Sequence, residues 1–312
     1  MVLSKLAQSP LLDFFKPAYY KVEKKVASQQ IPAVHEIPNR KKLSDFTSKA
    51  NVEDVMDHAV WDALLKQYVN TDASNTIGDV TGIHLVDYAG IGADPQFEAY
   101  LQTLAITDPS TLTEPEQLAF WMNAYNAFCI SLLVNAMKKN NEEEPQDLQS
   151  INDLSKPNLP VWDLPAGTVG GEHGVVSLNY VEHEQLRKVW AEPAVHACIV
   201  CASASCPNLR AEAFVGSRVR EQMDDQVRLW LQNDSKGFRY DGKTLFLSRI
   251  FLWFADDFGG WNGGLQEWLA QYLKDNETGG IQKQLAANKI KKVRYFEYSW
   301  KMNRLPQSDG TK

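Results

Sequence analysis

The fold turns on one stretch, Thr113-Glu-Pro-Glu-Gln-Leu-Ala-Phe-Trp-Met-Asn-Ala-Tyr-Asn-Ala-Phe-Cys-Ile-Ser-Leu-Leu-Val-Asn-Ala-Met137. Thr113 followed by Glu116 is a capping box, and Pro115 stands in the first turn, where its missing N–H has no intrahelical partner to lose. The pattern predicts a helix from Glu114 to about Met137, ahead of the polar stretch Lys138 to Glu144. Phe120, Trp121, Met122, Tyr125, Phe128, Ile130, Leu132 and Leu133 make it apolar on nearly every face, as in a helix at the middle of a fold. Its most apolar part, Leu118 to Val134, is short for a bilayer span. Asn123 and Asn126 share one face. Buried amides cost on the order of a few kcal/mol unless bonded, so the pair either ties down neighbouring loop backbone or belongs to an active site.

The rest of the chain reads outward from this helix. Val60, Leu64, Leu65 and Tyr68, then Phe97, Tyr100, Leu101 and Leu104, recur at helical spacing. Asn179-Tyr180-Val181-Glu182 caps a helix ending near Trp190, and His196-Ala-Cys-Ile-Val-Cys201 reads as a buried strand. Leu245 to Phe254 mixes strand and helix signals, and Val293 to Tyr298 reads as a late strand. Helices with interspersed strands predict an α+β fold. The expected organisation is a single large domain over 51–312, its central helix packed against a mixed or antiparallel sheet. Residues 1–50 read as an extended arm lying on the domain or on a protein partner. They carry nine basic residues against four acidic ones, net +5 in a chain of net −7, so the remainder holds −12.

Composition narrows the classes. In 312 residues, 44% are hydrophobic and 11% aromatic, which excludes disorder as the dominant state. A pI near 5.5 argues against a dedicated nucleic-acid binder. Four cysteines are too few for a disulfide-stapled secreted scaffold, and the first residues lack an uninterrupted apolar signal region. A cytoplasmic, reducing setting is the expectation.

The chemistry concentrates in Cys201-Ala-Ser-Ala-Ser-Cys-Pro-Asn-Leu-Arg210. Pro207 favours extended dihedrals at Cys206 and a helical start after it, which would place Cys206 at an N-cap where amide dipoles stabilise a thiolate. Cys206 is then a candidate nucleophile, with plain burial as the alternative. His183, beside Glu182 and four residues before Arg187, is the candidate base. His196 is the second choice, sharing its strand face with Cys198. Asn123, Asn126 and Asp257 are candidates to orient an imidazole. Cys198-Ile-Val-Cys201 has CxxC spacing, but strand geometry turns the thiols to opposite faces and no second pair follows. Gly259 to Gly264 lacks the lysine of a phosphate loop. No metal or cofactor is expected.

Taken together, these segments resemble the domain of unknown function 547 family from about His58 to Asn303. The resemblance rests on Gln117 to Asn126, Ser150-Ile151, Val161-Trp162, Ser177-Leu178, Glu182-His183 and Leu186-Arg187. It continues through Cys201-Ala-Ser203, Ser205-Cys-Pro207, Leu209-Arg210, Leu247-Ser248, Ile250-Phe251, Trp253, Asp257-Phe258 and Tyr298 to Asn303. The resemblance implies an α+β domain in which Asn123, Asn126, Glu182, His183, Arg187, Ser205 and Cys206 converge on one site. It extends loosely to papain-like and transglutaminase-like hydrolases, except that their helix supplies the cysteine, whereas here it offers asparagine.

The expected function is a cysteine-dependent hydrolase or acyltransferase acting on an amide, ester or thioester of a small molecule or peptide. Cys206 attacks, His183 takes its proton, Asn126 or Glu182 orients the ring, and backbone amides after Cys206 hold the oxyanion. Asn123, Arg187, Ser203, Ser205 and Asp257 would bind substrate. The rival readings are a non-catalytic binding module built on the same cluster and a redox or metal role for Cys198, Cys201 and Cys206.

Overall fold

The computed structural model describes Val34, residues 37–46, 54–138, 147–260, 264–273 and 280–306. The expected arm therefore lies largely outside the described residues, as does the middle of the glycine-rich turn. The described residues fall into two compact units. Those of Arg40–Trp230 and Ser299–Lys312 form the first, and those of Met1–Asn39 and Leu231–Tyr298 the second.

In the first unit, helix Glu114–Met137 begins at its capping box. The Glu116 carboxylate accepts from the Thr113 N–H at 3.1 Å and from Thr113 Oγ1 at 2.6 Å. Burial pushes the Glu116 pKa up, but its hydrogen bonds from Thr113, Met56 and Val55 outweigh this and leave it lowered. Every residue from Leu118 to Ser131 is buried. Length and apolarity would suit this helix to a bilayer, yet 89% of its most apolar window is covered by protein.

Helices Tyr88–Ala93 and Pro95–Ile106 pack on the central helix. Helix Ala59–Tyr68 joins them, burying Trp61, Leu64 and Leu65. Its Val60 faces outward, because the buried stripe runs through Trp61 instead. The Trp61 and Tyr100 rings stack with centroids 5.2 Å apart. The sheets of this unit are antiparallel pairs, including Gly167–Val169 with Gly174–Val176. Arg40 and Lys41, at the end of the expected arm, lie on the unit. Arg40 Nη1 donates to the Trp190 carbonyl at 3.1 Å, and Lys41 pairs with Glu114.

Two local expectations fail. Val195–Cys198 is one turn of helix rather than the start of a strand, and the chain turns extended at Ile199. Pro193 and the small residues Ala194 and Ala197 permit the turn, and the Cys198 carbonyl is satisfied by a side chain, so no strand partner is needed. Cys206 does not cap a helix either: residues 207–210 are irregular, and the next helical residues are Gly216–Arg218, leading into helix Val219–Gln232.

In the second unit, Phe238–Tyr240 pairs antiparallel with Leu245–Leu247, which pairs parallel with Val293–Tyr295. This mixed sheet is accompanied by helices Ile250–Trp253, Leu265–Tyr272 and Ile281–Ala286. The fold is α+β with small sheets and a buried long helix.

Candidate active site

The two buried asparagines of the central helix, Asn123 and Asn126, each bond backbone through both amide atoms. Asn123 Nδ2 donates to the Phe214 carbonyl at 2.8 Å, and its Oδ1 accepts the Phe214 N–H at 3.0 Å. Asn126 Nδ2 donates to the Cys198 carbonyl at 2.9 Å, and its Oδ1 accepts the Val200 N–H at 2.9 Å. A carboxamide offers a donor and an acceptor side by side, which matches a passing peptide strand edge for edge. The helix thus staples two loops, and the second of them runs straight into Cys201.

That loop is shaped by a strained turn. Ala202 sits at φ 60°, a region that an L side chain enters at a cost of roughly 1–2 kcal/mol. The C-terminal segment holds it there. The Ala204 N–H donates to Lys301 O at 2.8 Å, Asn303 N–H to Ala202 O at 3.0 Å, and Ser299 N–H to Ser205 Oγ at 2.8 Å. The Cys206 N–H closes the turn on Ser203 O at 3.1 Å.

The chain reversal brings two thiols together. Cys201 Sγ lies 2.9 Å from Cys206 Sγ and 3.3 Å from Ser203 Oγ, while the Cys201 N–H points at Cys206 Sγ from 3.3 Å. Cys206 is buried and Cys201 half-buried. The CxxC spacing is not what pairs these sulfurs: Cys198 Sγ donates to the Ala194 carbonyl at 3.3 Å. Burial pushes the Cys198 thiol well up, with Arg210 lowering it and Asp224 raising it. Cys129 on the central helix is likewise raised by burial, with a further contribution from Cys201. Both therefore stay protonated at neutral pH. Among the described residues, no three His, Cys, Asp or Glu side chains are grouped to hold a metal.

Glu182, His183 and Arg187 sit on a π-helix, Tyr180–Arg187. Ser177 Oγ accepts its first N–H at 3.1 Å, and the Lys188 N–H reaches back five residues to His183 O at 3.1 Å. Such widened turns cluster at functional sites. Arg187 is buried, and its Nη1 lies 2.9 Å from His183 Nδ1. A guanidinium has no acceptor, so His183 Nδ1 must accept and the neutral ring carries its proton on Nε2.

Tyr125 links the central helix to the π-helix. Its hydroxyl donates to Glu182 Oε2 at 3.3 Å. Burial raises the Tyr125 pKa far above its ordinary value, followed by the charges of Glu182, Cys129, Cys201 and Cys206. Tyr88 feels the same three thiols after burial. Sequence reasoning read Tyr125 only as one of the helix's apolar residues, and weighed Cys201 in a CxxC pair with Cys198 and in the redox or metal alternative. The available signal was a phenol between two buried asparagines, since a buried Tyr hydroxyl needs a partner.

Of the remaining expected site residues, Ser203 touches Cys201 and Ser205 anchors Ser299. His196 is buried in the helical turn next to Cys198. Asp257 belongs to the second unit.

Residues 109–231 match the model of a family described as Protein of unknown function, DUF547. This span opens just before the central helix and contains every candidate site residue except Asp257. Neither the curated proteins nor the solved structures contain a match to the chain.

Proposed function

We propose that the DUF547 family domain at residues 109–231 is a cysteine-dependent hydrolase or acyltransferase with Cys206 as nucleophile and His183 as its partner. The observation that carries this reading is the Cys201 N–H aimed at Cys206 Sγ from 3.3 Å, on a loop held by both the central helix and the C-terminal segment. An amide donor fixed on a sulfur favours the thiolate, which needs no separate base to attack.

The thiolate adds to the carbonyl carbon of an amide, ester or thioester. The leaving group departs with a proton from water, and the thioester on Cys206 passes its acyl group to water or to another acceptor. Pro207 carries no N–H, and the Cys206 N–H is occupied by Ser203 O. The oxyanion donor therefore has to come from elsewhere, and His183 Nε2–H, its tautomer set by Arg187, suits that role. Tyr125 and Glu182 tie the π-helix bearing His183 to the central helix, whose Asn126 holds the backbone that leads into Cys201.

The test follows the pH dependence of Cys206 alkylation by mass spectrometry in the wild type and in His183→Ala. The expected midpoint lies below the ordinary thiol value of about 8.5 and rises in the variant. An ordinary midpoint indifferent to His183 would overturn the enzyme reading. It would favour a binding module instead, in which the neutral His183 N–H grips a ligand acceptor.

A further inference from the structure

We propose that Cys201 and Cys206 form a reversible disulfide, making this loop a site of thiol oxidation. A disulfide bond measures about 2.05 Å, and the two sulfurs stand 2.9 Å apart, so less than about 1 Å of approach separates the dithiol from the bonded state. The approach is built into the backbone. The left-handed turn at Ala202 and the Ser203 to Cys206 hydrogen bond fold the chain back on itself, and the contacts to Lys301, Asn303 and Ser299 hold it folded.

The surroundings assign an order of events. Cys201 is half-buried and meets an oxidant first, whereas Cys206 is buried behind it. Cys129 and Cys198 are kept as thiols by burial, and Cys198 is occupied with the Ala194 carbonyl. With a glutathione-type disulfide as oxidant, the Cys201 thiolate attacks one sulfur and forms a mixed disulfide, releasing one thiol. The Cys206 thiolate then attacks Cys201 Sγ and expels the second. Two protein thiols lose two electrons and two protons, and the small disulfide is reduced to two thiols.

The bond stands on this geometry alone. Its consequence, that oxidation silences Cys206, rests on the reading of Cys206 as nucleophile.

The full chain is equilibrated in buffers of graded reduced and oxidised glutathione, acid-quenched, alkylated and weighed intact and as peptides. Expected is one internal disulfide in the wild type and equally in Cys198→Ser, reversed by dithiothreitol. Cys201→Ser and Cys206→Ser should form none, with circular dichroism verifying that each variant is folded. Failure of the bond in folded wild type at every ratio, or its loss in Cys198→Ser, would overturn the proposal. So would a glutathione adduct that persists on Cys201 without resolving. A bond that forms although the Cys206 alkylation midpoint is ordinary keeps the redox site and removes the catalytic reading. A low midpoint without a bond does the reverse.

Discussion

Replacing Asn126 by alanine should cost about 3 kcal/mol, and the figure can be worked from two hydrogen bonds. The side chain is buried, and both its amide atoms serve one peptide segment: the Cys198 carbonyl and the Val200 N–H, each at 2.9 Å. Alanine leaves a buried acceptor and a buried donor unmatched, at roughly 1–3 kcal/mol each, while the regained side-chain freedom offsets a fraction. Urea denaturation followed by tryptophan fluorescence reads the loss as a lower midpoint at unchanged slope. Hydrogen exchange at the Val200 amide reads it locally. A 3 kcal/mol loss multiplies the population of the opened loop by about 100-fold, so alkylation of Cys201 should accelerate in proportion wherever it proceeds through opening. Asn135→Ala is the internal control, because its side chain is exposed and, among the described residues, its amide reaches Ser131 Oγ at 3.3 Å. If Asn126→Ala falls within about 0.5 kcal/mol of that control, the amide is not what holds the loop and the argument fails.

Two further outcomes follow from residues of the same unit. Burial lowers the His58 pKa to about 4, against the opposing charges of Asp57 and Glu116, and its Nδ1 is hydrogen-bonded with the Tyr100 hydroxyl at 2.9 Å. A depressed pKa means the unfolded chain binds the proton more readily. His58 therefore contributes stability above about pH 6.5 that is lost as pH falls toward 4, by at most roughly 3 kcal/mol. Denaturation midpoints across that window should lose part of their slope in His58→Gln, and an unchanged slope would refute it. Gly170→Ala should lower the melting temperature, because a Cβ there would stand 2.5 Å from the Thr107 carbonyl oxygen, which is backbone and cannot swing aside. The expected cost is roughly 1–3 kcal/mol. Gly174→Ala meets open space and pays only for φ 63°, so it should be the milder of the two, and the reverse order would contradict the geometry.

The central helix was legible because its signals are local. A capping box, a proline in the first turn and an apolar run need no knowledge of distant chain, and the helix begins at Glu114 and ends at Met137 as read. The tie between Asn123, Asn126 and loop backbone was legible as one of two alternatives, but its partners were not. Phe214 and Cys198 lie 91 and 72 residues away, and no periodicity records such pairings. The segment His196 to Cys201 misled for a related reason. Its β-branched, apolar composition reports burial, and burial is shared by strands and by a single helical turn whose carbonyl is capped by a distant amide.

The pairing of Cys201 with Cys206 shows the limit most sharply, since it depends on one residue in an improbable conformation. Six residues in extended chain would span far more than a sulfur–sulfur contact, and strand alternation would turn thiols five apart to opposite faces. What closes the distance is Ala202 in the left-handed region, a state no alanine advertises in sequence. That state persists because the bonds from Ala204 to Lys301 and from Asn303 to Ala202 outweigh its cost. They come from a segment about a hundred residues further on. The strain and its compensation meet beside the sulfur with an amide N–H trained on it, where an unfavourable backbone is tolerated for what it positions. Cys206 is thus exceptional less for its own surroundings in sequence than for the turn that delivers Cys201 to it. Any account of this domain that explains Cys206 alone leaves the strained residue beside it without a purpose.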